Sequence, residues 1–159
     1  LWLPNPEEVP MLSTREFYVA PSNSLEIRPV FENGWQFLGW SNLSPDHREL
    51  LLHILVTETY KPPPPPIGRS PEPPDQPYRL FLHVYSINGE FLAGVDRMAF
   101  DTYTLRSGDI FVQLHDFPDL EGGTYTLQAG LYHAETGERL RTTTGETVIE
   151  LGPFDVWER

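Results

Sequence analysis

The stretch Tyr78–Arg97, YRLFLHVYSINGEFLAGVDR, decides the fold class of this chain. Leu80, Leu82 and Val84 are separated by single residues, and this alternation is typical of a strand with one face buried. Asn88-Gly89 tolerates the positive φ angles of a tight hairpin turn. The stretch therefore predicts two antiparallel strands joined by a two-residue turn.

Strand signals of the same kind recur on both sides of this hairpin. A second tight turn is predicted at Asn33-Gly34, and turn residues recur about every 8–12 residues, as in β-sandwiches. Residues 48–59 also fit a helix capped at Ser44, but their β-branched end favours a strand. The predicted strands are 25–31, 35–41, 48–59, 78–86, 91–97, 109–115, 124–133, 139–141 and 147–157. The predicted fold is all-β: an antiparallel β-sandwich of eight or nine strands, immunoglobulin-like or jelly-roll-like.

The chain is organised as a short lead-in followed by one domain. Residues 1–24 are proline-rich with little periodicity, and they predict an irregular lead-in or linker that packs partly through Trp2, Phe17 and Tyr18. Residues 25–159 form the predicted sandwich. Nine prolines fall within residues 61–77, where they cannot donate to a sheet and predict a stiff exposed loop.

Composition excludes several classes of function. The formal net charge is -12, from 23 acidic and 11 basic residues, so binding to nucleic acid or to an anionic membrane face is disfavoured. The absence of cysteine removes disulfides, thiolate metal sites and cysteine nucleophiles. No stretch approaches the roughly 18 apolar residues of a membrane helix, so no direct membrane insertion is expected. Because the sequence begins at Leu1 and not Met, we expect a piece of a longer chain.

Three segments resemble a known bacterial domain. They are Phe31–Trp40 (FENGWQFLGW), Tyr78–Asn88 (YRLFLHVYSIN) and Gly123–Leu140 (GTYTLQAGLYHAETGERL). They resemble the C-terminal extracytoplasmic domain of polytopic membrane glycosyltransferases from Chloroflexi-like genomes. The resemblance implies a β-sandwich outside the cytoplasm, tethered to the membrane in the full-length protein. It implies no catalytic residue here, since catalysis in those enzymes belongs to the membrane portion.

The chain offers no recognisable catalytic or metal motif. It has no G-x-S-x-G elbow and no phosphate-binding P-loop. His53, His83 and His115 lie in predicted strands, where two could meet across a sheet, but isolated strand histidines are more often hydrogen-bonded structural residues. No cofactor and no metal site are predicted. Loop carboxylates without calcium-loop spacing are expected in a chain of this charge.

Aromatic residues give the best hint of a ligand. Trp and Tyr rings on a sandwich face can stack on sugars, although most rings in such a fold fill its core. Alternation along the strand places Trp35 and Trp40 on opposite faces, so at least one should be partly exposed. Tyr103 lies in a predicted loop. Trp35, Trp40 and Tyr103 are therefore the predicted ligand-binding residues.

The sequence favours a non-catalytic accessory domain over an enzyme. It is expected to lie outside the cytoplasm as part of a membrane glycosyltransferase, with carbohydrate or the membrane part of its own chain as partner. A free-standing carbohydrate-binding module is the alternative. A hydrolase with an unrecognised carboxylate pair comes third, because any acidic protein offers candidate pairs.

Overall fold

A computed structural model gives the fold. It describes residues 11–13, 20–64, 76–98 and 100–158. The predicted packing of Trp2, Phe17 and Tyr18 lies outside these residues, as does the middle of the proline-rich stretch, 65–75. Within the described ranges, no helix is long and apolar enough to cross a membrane.

The described chain forms two antiparallel sheets. The first has the order β1-β7-β4-β3-β2, in which β2 contributes only two residues, and the second has the order β6-β5-β8-β9. The strands are β1 (Met11–Ser13), β2 (Asn23–Ser24), β3 (Trp35–Asn42), β4 (Glu49–Val56), β5 (Tyr78–Ser86), β6 (Phe91–Arg97), β7 (Ile110–Asp116), β8 (Gly123–His133) and β9 (Ile149–Val156). The predicted all-β sandwich is confirmed.

The order of the strands is immunoglobulin-like. When β3 to β9 are lettered A, B, C, C′, E, F and G, the two sheets read A-B-E and C′-C-F-G. β1 lies beside β7, at the position of strand D. Hairpins join β3 to β4, β5 to β6 and β8 to β9, so the chain crosses between the sheets after β4, β6 and β7.

One apolar core lies between the sheets. Leu50, Leu52 and Ile54 of β4 and Leu80 and Leu82 of β5 are completely buried in it. The alternation that predicted the first strand of the hairpin therefore places Leu80, Leu82 and Val84 in the core, as expected. The β-strand interpretation of residues 48–59 is also confirmed by β4, which pairs with both β3 and β7.

Three segments differ from the predicted strands or lead-in. In 25–31 only Val30 and Phe31 form isolated bridges, and in 139–141 only Arg139 does, so neither segment is a strand. Their backbone groups still bond to neighbouring strands, since Pro29 accepts from Phe37 of β3 and Leu140 donates to Leu131 of β8, but these bonds do not form a continuous ladder. Within the predicted irregular lead-in, β1 pairs with β7 and β2 pairs with β3.

A β-bulge in β3 corrects the prediction for the two tryptophans. The pairing with β4 shifts between Phe37 and Gly39, so one extra residue resets the alternation. Trp35 and Trp40 consequently point to the same face and are 1% and 5% exposed. The expectation that one of them is partly exposed was wrong.

Polar side chains join β6 to the part of β7 that lies beyond its pairing with β1. The Gln113 side-chain amide donates to the carbonyl of Arg97 at 3.0 Å, and His115 Nδ1 lies 3.2 Å from the carbonyl of Val95. In return, the Arg97 guanidinium donates to the carbonyl of Leu114 at 3.2 Å. These bonds link the edge strand β6 of the second sheet to β7 of the first sheet through side chains.

Candidate functional site

A row of rings covers the outer face of the second sheet. Along β5, the side chains that alternate with the core leucines point outward, and those of β6 and β8 extend the row. Neighbouring ring centroids lie 4.6 to 6.2 Å apart along the row. We call this set the aromatic strip; its members are Phe81, His83, Tyr85, Phe91 and Tyr132.

Two members of the strip form a rigid floor. Phe81 lies flat across Gly130 of β8, where any Cβ atom would overlap the phenyl ring. The Arg139 guanidinium covers the other face of that ring, 4.7 Å from its centroid. His83 lies over Gly94 of β6, where a Cβ would approach the imidazole to 2.8 Å. The two glycines thus let the rings lie close to the sheet.

Phe91 and Tyr85 stand above this floor at the hairpin end of the strip. Phe91 is 54% exposed and Tyr85 is half-buried. The Phe91 ring is nearly perpendicular to His83, at 81°, and to Tyr85, at 72°. These edge-to-face contacts fix an exposed ring with a free apolar surface. Ile87 and Leu92 are also exposed at the same hairpin.

The Asp96 carboxylate lies at the end of the strip that is farther from the β5–β6 turn. One oxygen of Asp96 lies 3.1 Å from His83 Nε2, and the other accepts a hydrogen bond from the Tyr132 hydroxyl at 3.1 Å. Burial, followed by the nearby Asp96 charge, raises the pKa of Tyr132 and keeps its hydroxyl protonated. Asp96 remains partly exposed and can accept further hydrogen bonds from a ligand.

The residues predicted to bind ligand do not form this site. Trp35 packs in the core against Tyr60 and Phe111, and Trp40 packs against Phe154, so neither ring can reach a ligand. Tyr103 is half-buried in the connection between β6 and β7, at the end of the sandwich opposite the β5–β6 hairpin. The three residues are not brought together.

The sequence contained a signal for the strip. Alternation in β5 placed Phe81, His83 and Tyr85 on the face opposite the leucines, and that face is the outer one. Phe91 follows the turn at Gly89 and is paired with Tyr85. The two tryptophans predicted to bind ligand lie in the core, and the rings available to a ligand lie on the outer face of the β5–β6 hairpin.

Asp96 and Glu150, two carboxylates on this face, are too far apart to act as a glycosidase pair. Asp96 is on β6, and Glu150 is on β9 and accepts a hydrogen bond from Gln128. Three strand spacings separate β6 from β9, which corresponds to about 14 Å or more. Glycosidase carboxyl groups lie roughly 5–9.5 Å apart.

The histidines do not converge on a metal site. His53 lies on the outer face of the first sheet beside Ser41, His83 belongs to the strip, and His115 lies between the sheets. In the described part of the chain, no group of three or more His, Asp or Glu side chains could hold a metal ion.

A separate groove of about 850 Å³ opens at the other end of the sandwich. Its lining includes Phe31, Glu32, Val56, Glu58 and Ser107. The Thr57 hydroxyl at its wall donates to the carbonyl of Gly34 and so stabilises the turn at Asn33-Gly34. The groove lacks the stacked rings that distinguish the strip.

Neither a protein-family model, nor a curated protein, nor a solved structure matches this chain. The resemblance to glycosyltransferase C-terminal domains stays a prediction.

Proposed function

We propose that this chain is a non-catalytic domain that contacts carbohydrate through the aromatic strip. The observation that carries the proposal is the exposed Phe91 ring, fixed beside Tyr85 above a rigid floor. The apolar C–H faces of a pyranose pack well on such a ring. Hydroxyl groups at the rim of the sugar find an acceptor in Asp96, in keeping with sites that combine apolar surface with a few polar groups.

The charge of the domain favours a neutral glycan. The net charge is -12, and the only carboxylate within the strip's own network, Asp96, points toward the ligand side. An anionic sugar would be repelled both at long range and in contact. A neutral sugar keeps the hydrogen bonds to Asp96 without that repulsion.

We further propose that the domain accompanies a catalytic part and does no chemistry itself. The wide spacing of Asp96 and Glu150 supports binding over hydrolysis. The segments that resemble glycosyltransferase C-terminal domains include β5 and β8, two of the three strands that carry the strip. In this proposal the domain lies outside the cytoplasm, tethered to a membrane glycosyltransferase, and contacts its glycan product or acceptor. A free-standing binding module is the second candidate, since the same strip would serve it.

The native gene upstream of Leu1 distinguishes the two candidates. A run of hydrophobic helices encoded there would support the tethered domain. A signal peptide alone, or a start codon close to Leu1, would contradict it and leave the free-standing module.

Substitution of the exposed ring tests the binding surface. We expect Phe91→Ala to weaken binding to neutral glycans at least tenfold, about 1.4 kcal/mol, because the stacking surface is removed. Binding is measured on a glycan array and then by calorimetry with the best ligand. Because Phe91 is 54% exposed, its loss should leave the melting temperature almost unchanged.

Two matched controls accompany this variant. Ile87→Ala removes an exposed apolar side chain from the same hairpin, and Trp157→Ala removes an exposed ring at the far edge of the sheet. Both should bind as the parent does. No glycan binding by the parent, or equal binding by Phe91→Ala, would contradict the proposed function.

A further inference from the structure

The strip is elongated along one strand. Phe81, His83 and Tyr85 occupy alternate positions of β5, so the outer two are about 14 Å apart. Phe91 lies between His83 and Tyr85, with centroid distances of 5.3 and 5.7 Å, so the apolar surface is continuous. Phe81 itself is only 1% exposed beneath Arg139, so the surface open to a ligand runs from Phe91 to Asp96. These two residues are five positions apart on β6, about 17 Å, so this surface is longer than one pyranose ring and matches a short linear oligosaccharide.

The two ends of the strip offer different chemistry. The hairpin end presents the exposed Phe91 and the half-buried Tyr85. The other end presents hydrogen-bonding groups, namely the Asp96 carboxylate, the Tyr132 hydroxyl and the Arg139 guanidinium. Phe91 and Asp96 lie near opposite ends of β6, and the distance between them is longer than one sugar ring. A single sugar therefore cannot contact both residues.

We infer that the strip binds an extended neutral oligosaccharide whose chain runs along β5. One sugar stacks on Phe91 and Tyr85, and a second or third sugar donates its hydroxyl groups to Asp96. This inference rests on the proposed function and adds the ligand's length and direction. The bond between Asp96 and Tyr132 orients the carboxylate before ligand binds, which lowers the entropic cost of recognition.

Chain length is the measurement that tests this inference. The 159-residue chain is titrated with the cello-oligosaccharides from glucose to cellohexaose and with the matching manno-oligosaccharides. In the series that binds, we expect affinity to rise at least tenfold from the monosaccharide to the tetrasaccharide and then to level off. Levelling marks the length at which both ends of the strip are occupied.

Two variants separate the two ends. Phe91→Ala should weaken the binding of every member of the series, because each oligosaccharide places one of its sugars on the Phe91 ring. Asp96→Asn should weaken only the longer members, about threefold to tenfold, because the monosaccharide does not reach it. Thermal unfolding of both variants checks that the sheet is intact, and the amide of the Asn side chain retains an acceptor for Tyr132.

The possible failures are distinguishable. Equal affinity for monosaccharide and tetrasaccharide, or an equal effect of Asp96→Asn on both, overturns the extended ligand and leaves a single-sugar site. Absence of binding across both series and on the glycan array overturns the extended ligand together with the proposed function.

Discussion

At the scale of single residues, Arg48 ties three parts of the chain together. Its side chain is almost completely buried and donates to the carbonyls of Leu120 and Trp157, both at 2.7 Å. It also pairs with Asp46 at 3.0 Å. One guanidinium therefore joins the β3–β4 turn, the β7–β8 connection and the end of β9, which is a use of the planar fork that lysine cannot reproduce.

We expect Arg48→Met to lower the free energy of unfolding by about 2–4 kcal/mol, because two carbonyls and one oxygen of the Asp46 carboxylate lose the guanidinium as a donor. Urea denaturation measures the change. The free energy of unfolding of Arg48→Lys should lie between those of the parent and of Arg48→Met, because lysine keeps the positive charge but lacks the planar guanidinium. Arg28→Met is the matched control, because Arg28 is exposed. A loss below about 0.5 kcal/mol for Arg48→Met, the size of an ordinary surface change, would contradict this role.

At the scale of elements, the polar contacts between β6 and β7 require a neutral histidine. The Gln113 amide lies 3.1 Å from His115 Nε2, so this nitrogen must accept, while Nδ1–H donates to Val95. Burial lowers the pKa of His115 to about 3, and the Arg97 charge acts in the same direction. Burial also lowers the pKa of His53 to about 4.

These shifts make stability depend on pH in a defined direction. Unfolded His115 takes up a proton near pH 6.5, whereas the folded side chain resists protonation down to about pH 3. Between these values the unfolded state binds more protons, so the free energy of unfolding falls as the pH falls. Above about pH 6.5 the contribution is fully present.

The variant His115→Gln isolates this contribution. Glutamine can still donate to Val95 but does not titrate, so the slope of unfolding free energy against pH should decrease by about 1.2 kcal/mol per pH unit between pH 6 and 5. Urea denaturation at several pH values gives both slopes, and the carboxylates contribute equally to each. Parallel slopes for parent and variant would show that His115 titrates normally.

Elements defined by local pattern could be predicted from the sequence. The β5–β6 hairpin follows from alternation and from Asn88-Gly89, and Gly89 indeed has a φ of 87°. The bulge in β3 could not be predicted, because it depends on where β4 and β2 lie. Gly39, with a φ of 149°, approaches the Asn23 carbonyl so closely that a Cβ would overlap it. That contact involves residues distant in sequence and decides the direction of Trp40.

The candidate site, too, could be predicted only in part. The outward face of β5 was visible in the alternation, so Phe81, His83 and Tyr85 could be placed together. Which of these rings is exposed could not be predicted: Phe81 is buried between Gly130 and Arg139, which comes from the β8–β9 connection, whereas His83 and Tyr85 are half-buried. The strand order that brings Tyr132 next to Asp96 is likewise a property of the whole sheet.

At the scale of the whole molecule, both sheets share one core. Trp35 of the first sheet packs against Tyr78 of the second at 5.3 Å, and Trp40 packs against Phe154 at 6.2 Å. Neither sheet can bury its apolar face without the other. The sheets should therefore fold and unfold as one cooperative unit.

We expect a single unfolding transition in urea. Far-UV circular dichroism reports the strands, and tryptophan fluorescence reports the buried Trp35 and Trp40, so their midpoints should coincide. Trp157→Phe removes an exposed indole and should leave the midpoint unchanged. Separate midpoints for the two probes would show that one sheet unfolds before the other.

The last strand also determines how copies of this protein behave beside one another. β9 pairs with β8 along one side, and it carries Pro153, a register shift opposite Leu127 and the outward charges of Glu150 and Asp155. A strand of this kind is a poor template for another chain, because proline lacks a donor and like charges repel. Pairing of copies through β9 is therefore disfavoured near neutral pH. Near the isoelectric point of about 4.7 the charge repulsion disappears, and only the proline and the irregular register still oppose aggregation.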